Sequence, residues 1–152
     1  MLYSPRRVSA GNQSLAHLLS VQPATGFNGL VNRTTFIPET VDLVNTDSNT
    51  LYWVLCLGCN IGGPFVPVNA LSATDINIGG TLTGLPGIVI ANGYLAATNQ
   101  AKASLTETIV TKYPITLNAA GVPRISGRLS LLVSGLTASA ACHGALTWKE
   151  IR

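Results

Sequence analysis

A chain of 152 residues fits one domain, and at that length a compact fold buries about 68–70% of its unfolded surface, enough for a core without staples. Charged residues make up only 10% of it, against roughly 25% in an ordinary soluble domain, so much of the surface is expected to meet other protein. The net charge of +3 comes from nine scattered Lys and Arg, without the basic stripe of a strong polyanion binder.

No run reaches the roughly 18 apolar residues of a membrane span, and "MLYSPRRVSAGNQSLAHLLS" lacks the apolar segment of a secretion signal, so the chain reads as soluble and uncleaved. Three cysteines cannot all pair within one chain, which predicts a reducing compartment.

Residues 1–33 are expected to form an N-terminal arm. "MLYSPRRVSAGNQ" shows no period, and Asn12 as N-cap with Leu15, Leu18 and Leu19 at i, i+3 and i+4 predicts two turns of helix before Pro23. His17 on that segment reads as a solvated or cap-side residue. Residues 34–152 change to short β-branched and aromatic runs: "TTFIPETVDLV", "NTLYWVLCLG", "GPFVPV", "GIVIANGYLAAT", "ASLTETIVTKYPITL", "GRLSLLVSGL" and "HGALTWKEI". Pro38 and Pro114 demand a break or an edge, so the first and fifth runs each read as one strand or two. Turn clusters such as "NTDSN", "NIGGP" and "NAAGVP" separate the runs, and only "NALSATDI" offers another helical turn.

In the fifth run Leu105, Ile109, Tyr113, Ile115 and Leu117 share one face; in the last, Leu146 and Trp148 oppose Thr147 and Lys149. Leu51 to Leu57 is apolar on both faces, the mark of a strand covered twice. Such a string of short strands predicts an all-β sandwich or barrel, and the preferred architecture is an eight-stranded antiparallel jelly roll over 34–152.

Cys56 and Cys59 have the spacing of a redox pair or of half a zinc site. In an extended strand residues three apart point to opposite faces unless the chain turns, and Gly58 offers the one turn. The remaining ligands, Cys142 and His143, are adjacent and diverge in a strand, and "CNIGGPFVP" is no helix to lower a thiol pKa, so both are expected as structural thiols. Serines are many, but His17 and His143 are the only imidazoles, and neither "VSGL" nor "ISGR" is a nucleophile elbow. The six acids, Glu39, Asp42, Asp47, Asp75, Glu107 and Glu150, are dispersed; Asp42 and Asp47 flank a turn where Asx turns account for them. "GGTLTG" lacks the lysine of a phosphate loop, and the sequons at Asn12 and Asn32 match by pattern alone. No catalytic residue, metal ligand or cofactor is therefore expected, and the chain reads as a non-enzyme. Arg6, Arg7 and Arg33 are the candidate contacts to phosphate.

"FVPVNALSATDINIGGTLTGLPGIVIANG" and "IVTKYPITLNAAGVPRISGRLSLLVSGLTASAACHGALTWKEI" have a cadence that resembles the coat proteins of small icosahedral plant viruses, the tymovirus-like ones in particular. In that family a strand ending in Val-Pro leads to a Thr-rich segment, a glycine pair and an apolar strand, and a proline-interrupted strand and an arginine-bearing loop precede the last two strands. The similarity covers residues 64 to 151; the chain is shorter than such coats, and its charged end "WKEIR" departs from theirs. The resemblance implies a capsid subunit of jelly-roll form that self-assembles, many copies together, into an icosahedral shell around the genome in the virion. With only Arg6 and Arg7 on the arm, contact with packaged nucleic acid is expected to be weak and nonspecific, and no membrane partner is expected. The alternatives are another virion part, such as a decoration, head-fibre or tail protein, and a non-catalytic β-sandwich ligand-binding module.

Overall fold

The computed structural model describes residues 2–10, 14–46, 48–84, 87–96, 104–108, 121, 127–137 and 140–151, with the backbone alone for 2–10 and 104–108. Among the described residues fourteen strands follow in chain order: β1 (Leu2–Ala10), β2 (Ala16–Pro23), β3 (Gly26–Phe27), β4 (Leu30–Val31), β5 (Thr35–Asn45), β6 (Leu51–Leu57) and β7 (Asn60–Gly62), then β8 (Val66–Pro67), β9 (Thr74–Ile78), β10 (Thr81–Gly84), β11 (Ile88–Leu95), β12 (Ser104–Thr108), β13 (Leu129–Gly135) and β14 (Ala140–Ile151). Among the described residues there is no α-helix, so the chain is all-β with antiparallel pairing throughout. Asn12, Asp47, the positions 109–117 of the fifth run and the loop holding Arg124 lie outside the described residues.

Two sheets carry the fold, one ordered β1-β14-β5-β12 and the other β11-β6-β13-β2-β9-β8. Eight of these strands pair as a nest: β6 with β11, β5 with β12, β2 with β13, and β1 with β14. The hydrophobic core lies between the sheets, with Phe36, Val41, Leu43, Leu146 and Trp148 from the four-stranded side. Leu18, Leu19, Leu51, Trp53, Leu55, Leu129, Leu131 and Val133 come from the six-stranded side.

The central strands β6 and β13 are buried along nearly their whole length. Leu51, Trp53 and Leu55 face the inner core, while Val54 and Cys56 join Leu132, Cys59 and Ile61 in a second cluster on the outer face. The short pair β7–β10 supplies the cover there, through Ile61 and Leu82. The doubly apolar run Leu51 to Leu57 is thus covered on both sides, as its composition predicts.

Residues 1–33 correct the expectation of an arm with a short helix, because they supply β1 and β2, one to each sheet, and the small β3–β4 pair. The helical spacing of Leu15, Leu18 and Leu19 has a strand cause. Between His17 and Leu19 the pairing with β13 slips by one residue, which brings the neighbours Leu18 and Leu19 both to the inner core, while Leu15 packs on the outer cluster. "NALSATDI" likewise forms no helix: Leu71 N donates to Asn69 Oδ1 (2.8 Å) and Ser72 N to Asn69 O (3.2 Å), a turn that leads into β9.

Pro38 neither breaks β5 nor sits on an edge strand. A register slip in the β5–β14 pairing leaves Glu39 unmatched beside it. The missing N–H of Pro38 therefore falls where the ladder is already interrupted.

Candidate functional site

The arginines singled out as phosphate contacts are spread along the four-stranded sheet. Arg6 and Arg7 stand opposite Gly144 and His143 on β14, whereas Arg33 lies two residues before Thr35, which stands opposite Ile151. Gly144 and Ile151 are seven positions apart on one strand, about 23 Å. Arg33 is exposed and lines an open groove of about 520 Å³ with Phe27, Asn28, Leu30, Val31, Asn32 and Thr34. The groove combines one aromatic ring, apolar side chains and one cation. The sequon at Asn32 has another use: the side chain is buried, its Nδ2 donates to Ala24 O (2.9 Å) and Ala73 O (2.7 Å), and its Oδ1 accepts from Thr34 N (2.9 Å).

Cys56 and Cys59 form a disulfide, with Cα atoms 5.9 Å apart, which corrects the expectation of diverging thiols. The alternation rule fails here because Gly58 takes a left-handed φ of 84° and ends the extended run between the two sulfurs. The bridge ties the end of β6 to β7 beneath the outer cover, and both cysteines are buried. With two of the three cysteines paired, the odd count no longer argues for a reducing compartment. Cys142 lies in the inner core, where burial pushes its thiol up to about 12, so it stays a neutral apolar filler.

The outer face of the six-stranded sheet carries a polar row that the sequence does not announce. His17 Nε2 lies 2.7 Å from Ser20 Oγ, and Ser20 Oγ lies 2.7 Å from Ser130 Oγ. His17 is thus buried rather than solvated or at a cap. A histidine and two serines at these distances have the contacts of a base and a nucleophile. Ser20 and Ser130 are nevertheless 0% exposed, so the row faces no open space in which a substrate atom would sit. Its effect is on packing: under an apolar cover Ser20 links His17 Nε2 to Ser130 in one chain of hydrogen bonds, while His17 Nδ1 is buried without a hydrogen-bond partner among the described residues.

Beside that row, Arg128 Nε and Nη2 donate to Gln22 Oε1 (both 3.1 Å), Nη1 donates to Ile61 O (3.1 Å), and the guanidinium lies 4.4 Å from the centroid of the Phe65 ring. One cation thus holds β2, β7 and the segment before β8 together. Across β2 from it, Asp75 has a buried Oδ1 with no partner among the described residues, and burial pushes its carboxyl up.

Glu150, at the end of β14, clasps the two sheets. Its Oε1 accepts from Ser72 Oγ (2.7 Å), Thr74 Oγ1 (2.9 Å) and Trp148 Nε1 (3.4 Å), and its Oε2 from Ala73 N (3.1 Å). Burial by itself would raise this carboxyl; the four donors outweigh it and hold the carboxyl below the ordinary range. The Ala73 carbonyl in turn accepts from Ala24 N (3.0 Å) and Asn32 Nδ2, so the backbone of one residue ties both sheets to the segment around β3–β4.

Exposed apolar groups form the remaining feature. On β11, Ile88, Val89 and Tyr94 are 68%, 50% and 66% exposed, and the Tyr94 ring lies 5.1 Å from that of Tyr52. Trp53 and Trp148 are core residues, as their strands predict, but Tyr52 is half-buried on the outer face. The signal for this patch is the absence of any Asp, Glu, Lys or Arg from residue 76 to residue 101. Among the described residues no three His, Cys, Asp or Glu side chains gather to hold a metal, and no helix is long and apolar enough to cross a membrane. Compared with known proteins, the chain matches no family model, and no curated protein matches its sequence.

Two predictions follow the site chemistry. Reducing the Cys56–Cys59 bridge, or changing both residues to Ala, is expected to lower unfolding stability by about 2 kcal/mol, because the loop it closes is short. Urea unfolding with and without a dithiol reductant measures this, and an unchanged midpoint would show that the bridge constrains nothing. Glu150→Gln is expected to cost about 1–3 kcal/mol at pH 7, since charge-assisted bonds to a partly exposed carboxylate are lost. A depressed folded pKa contributes stability above the unfolded value near about 4.3 and loses it as pH falls through the folded value, so the gap between wild type and variant should close on acidification. Asp75 works in the opposite direction, its penalty growing as pH rises; because both proteins carry it, the difference in melting temperature across pH 2–7 isolates Glu150.

Proposed function

We propose that this chain is a structural subunit of a virion, a coat protein of jelly-roll form that assembles in many copies into a closed icosahedral shell around a genome. The support for the fold is the nest of pairings. Numbering β1, β2, β5, β6, β11, β12, β13 and β14 as first to eighth, the first pairs the eighth, the second the seventh, the third the sixth and the fourth the fifth. That is a long hairpin rolled over on itself, the order of two interlocked Greek keys. In this reading β3–β4 and β7–β10 are insertions, the second of them closing the outer face.

The observation that carries the functional reading is the surface. Leu30, Val31, Val66, Leu71, Ile88, Val89, Tyr94 and Ile151 are exposed on a chain of which only 10% is charged. A free monomer gains nothing from such a surface, whereas the cores of subunit contacts are depleted of charge and enriched in aromatic and aliphatic groups. The buried Ser–His row and the fully engaged Glu150 favour a structural over a catalytic reading. Genome contact in this proposal is weak and nonspecific, because Arg33 stands far along the sheet from Arg6 and Arg7 and no polybasic segment adds to them.

Purified chain examined by electron microscopy and size-exclusion chromatography at low and high salt is expected to give uniform closed particles; persistent monomers under every condition would overturn the proposal, and a discrete small oligomer would favour an accessory virion part. RNA binding should be weak even at low salt and negligible at about 0.2 M. Filter binding that stays tight there would count against the weak-contact reading.

A further inference from the structure

Among the described residues the two principal sheets present four edges, and three of them are blunted. β8 is two residues long and ends in Pro67. β1 carries Pro5, Arg6 and Arg7 and a register slip between Tyr3 and Arg6. β12, described over Ser104–Thr108, includes Glu107. Charge, proline, irregularity and shortness are the devices that keep a free edge from pairing with another chain.

β11 departs from this pattern. It runs for eight residues without a proline or a charge, and its one irregularity is the register slip at Ile90. It pairs with β6 on one side, and among the described residues no strand pairs with the other. Its side chains alternate in a way that keeps the edge rigid. Leu95 lies in the inner core, Ile90 and Ala91 pack against it, and Gly93 lies so close under the Trp53 indole that a Cβ there would be 3.0 Å from Nε1. Val89, Asn92 and Tyr94 stand opposite Cys56, Val54 and Tyr52 and so face outward, where the Tyr94–Tyr52 ring pair borders the edge.

We propose that β11 is the contact through which this chain pairs with a second copy of itself, antiparallel and about a two-fold axis, joining two six-stranded sheets edge to edge. This rests on the shell-subunit reading and names the contact that starts assembly. A second copy is the fitting occupant because a neutral antiparallel strand is complementary to itself: its backbone groups match, no like charges meet, and the exposed Tyr94 and Val89 of each copy lie beside those of the other. The absence of charge from residue 76 to residue 101 leaves nothing on this strip to select a charged partner.

Asn92 is exposed near the middle of β11, so Asn92→Lys would set two like charges close together at the axis while leaving the monomer's packing alone. Tyr94→Lys tests the ring pair beside it, and Thr25→Lys, exposed away from β11, serves as the control. Each protein is checked for native far-ultraviolet circular dichroism, then followed by light scattering and native mass spectrometry over a concentration series. Asn92→Lys and Tyr94→Lys are expected to raise the concentration for half-assembly at least about tenfold, and Thr25→Lys to leave it unchanged. Wild type that assembles, with a folded Asn92→Lys that assembles at the same concentration, overturns the β11 contact and leaves the shell-subunit reading standing. Wild type that stays monomeric throughout overturns the shell-subunit reading itself.

Discussion

The strands β6 and β13 carry apolar side chains on both faces, and the rest of the architecture answers that constraint. Their inner residues, among them Trp53, Leu55, Leu129 and Leu131, are removed from water by β5 and β14 of the opposite sheet. Their outer residues Val54, Cys56 and Leu132 would stay wet if the fold ended there, leaving several large side chains exposed at about 1.5–3 kcal/mol each. The segment between β6 and β11 meets that need. It leaves the sheet at Gly58, lays β7 over the outer face, rejoins the far side of the sheet as β8 and β9, adds β10 to the cover and returns as the edge strand β11.

That cover is held by few contacts of different kinds. A covalent bridge joins the end of β6 to the start of β7, a guanidinium fastens β7 and Phe65 to β2, and a hydrogen-bonded row of His17, Ser20 and Ser130 lies alongside. At the other side of the sheet the clasp is ionic, with a carboxylate at the end of β14 gathering donors from Ser72, Ala73 and Thr74. Both devices fix the same six-stranded sheet, one over its outer face and one toward its partner sheet. They leave its β11 edge as the long uncharged margin.

Much of the strand content is legible in the sequence, because β-branched runs bounded by Gly, Pro and Asn mark where a pleated surface forms. The two-faced burial of Leu51 to Leu57 is legible for the same reason. What misleads is local irregularity: a one-residue slip makes Leu18 and Leu19 look helical, a left-handed Gly58 defeats the alternation rule for Cys56 and Cys59, and a register slip accommodates Pro38 in a strand paired on both sides. The polar row and the Glu150 clasp are not legible at all. Side-chain periodicity tells which residues share a face but not which strand lies next door, and Ser20 meets Ser130 across 110 positions of chain.

The nested pairing also has a consequence for how the chain is made. β1 finds its ladder partner only when β14 exists, and Ala10 pairs with Ala140, so 130 residues must be synthesised between the two. At roughly 5–20 residues per second a ribosome needs between about 7 and 26 s for that, during which β1 waits without its mate. Of the four nested pairs, β6 with β11 has both strands first and β1 with β14 last. The order of synthesis thus makes these four ladders available from the middle of the nest outward.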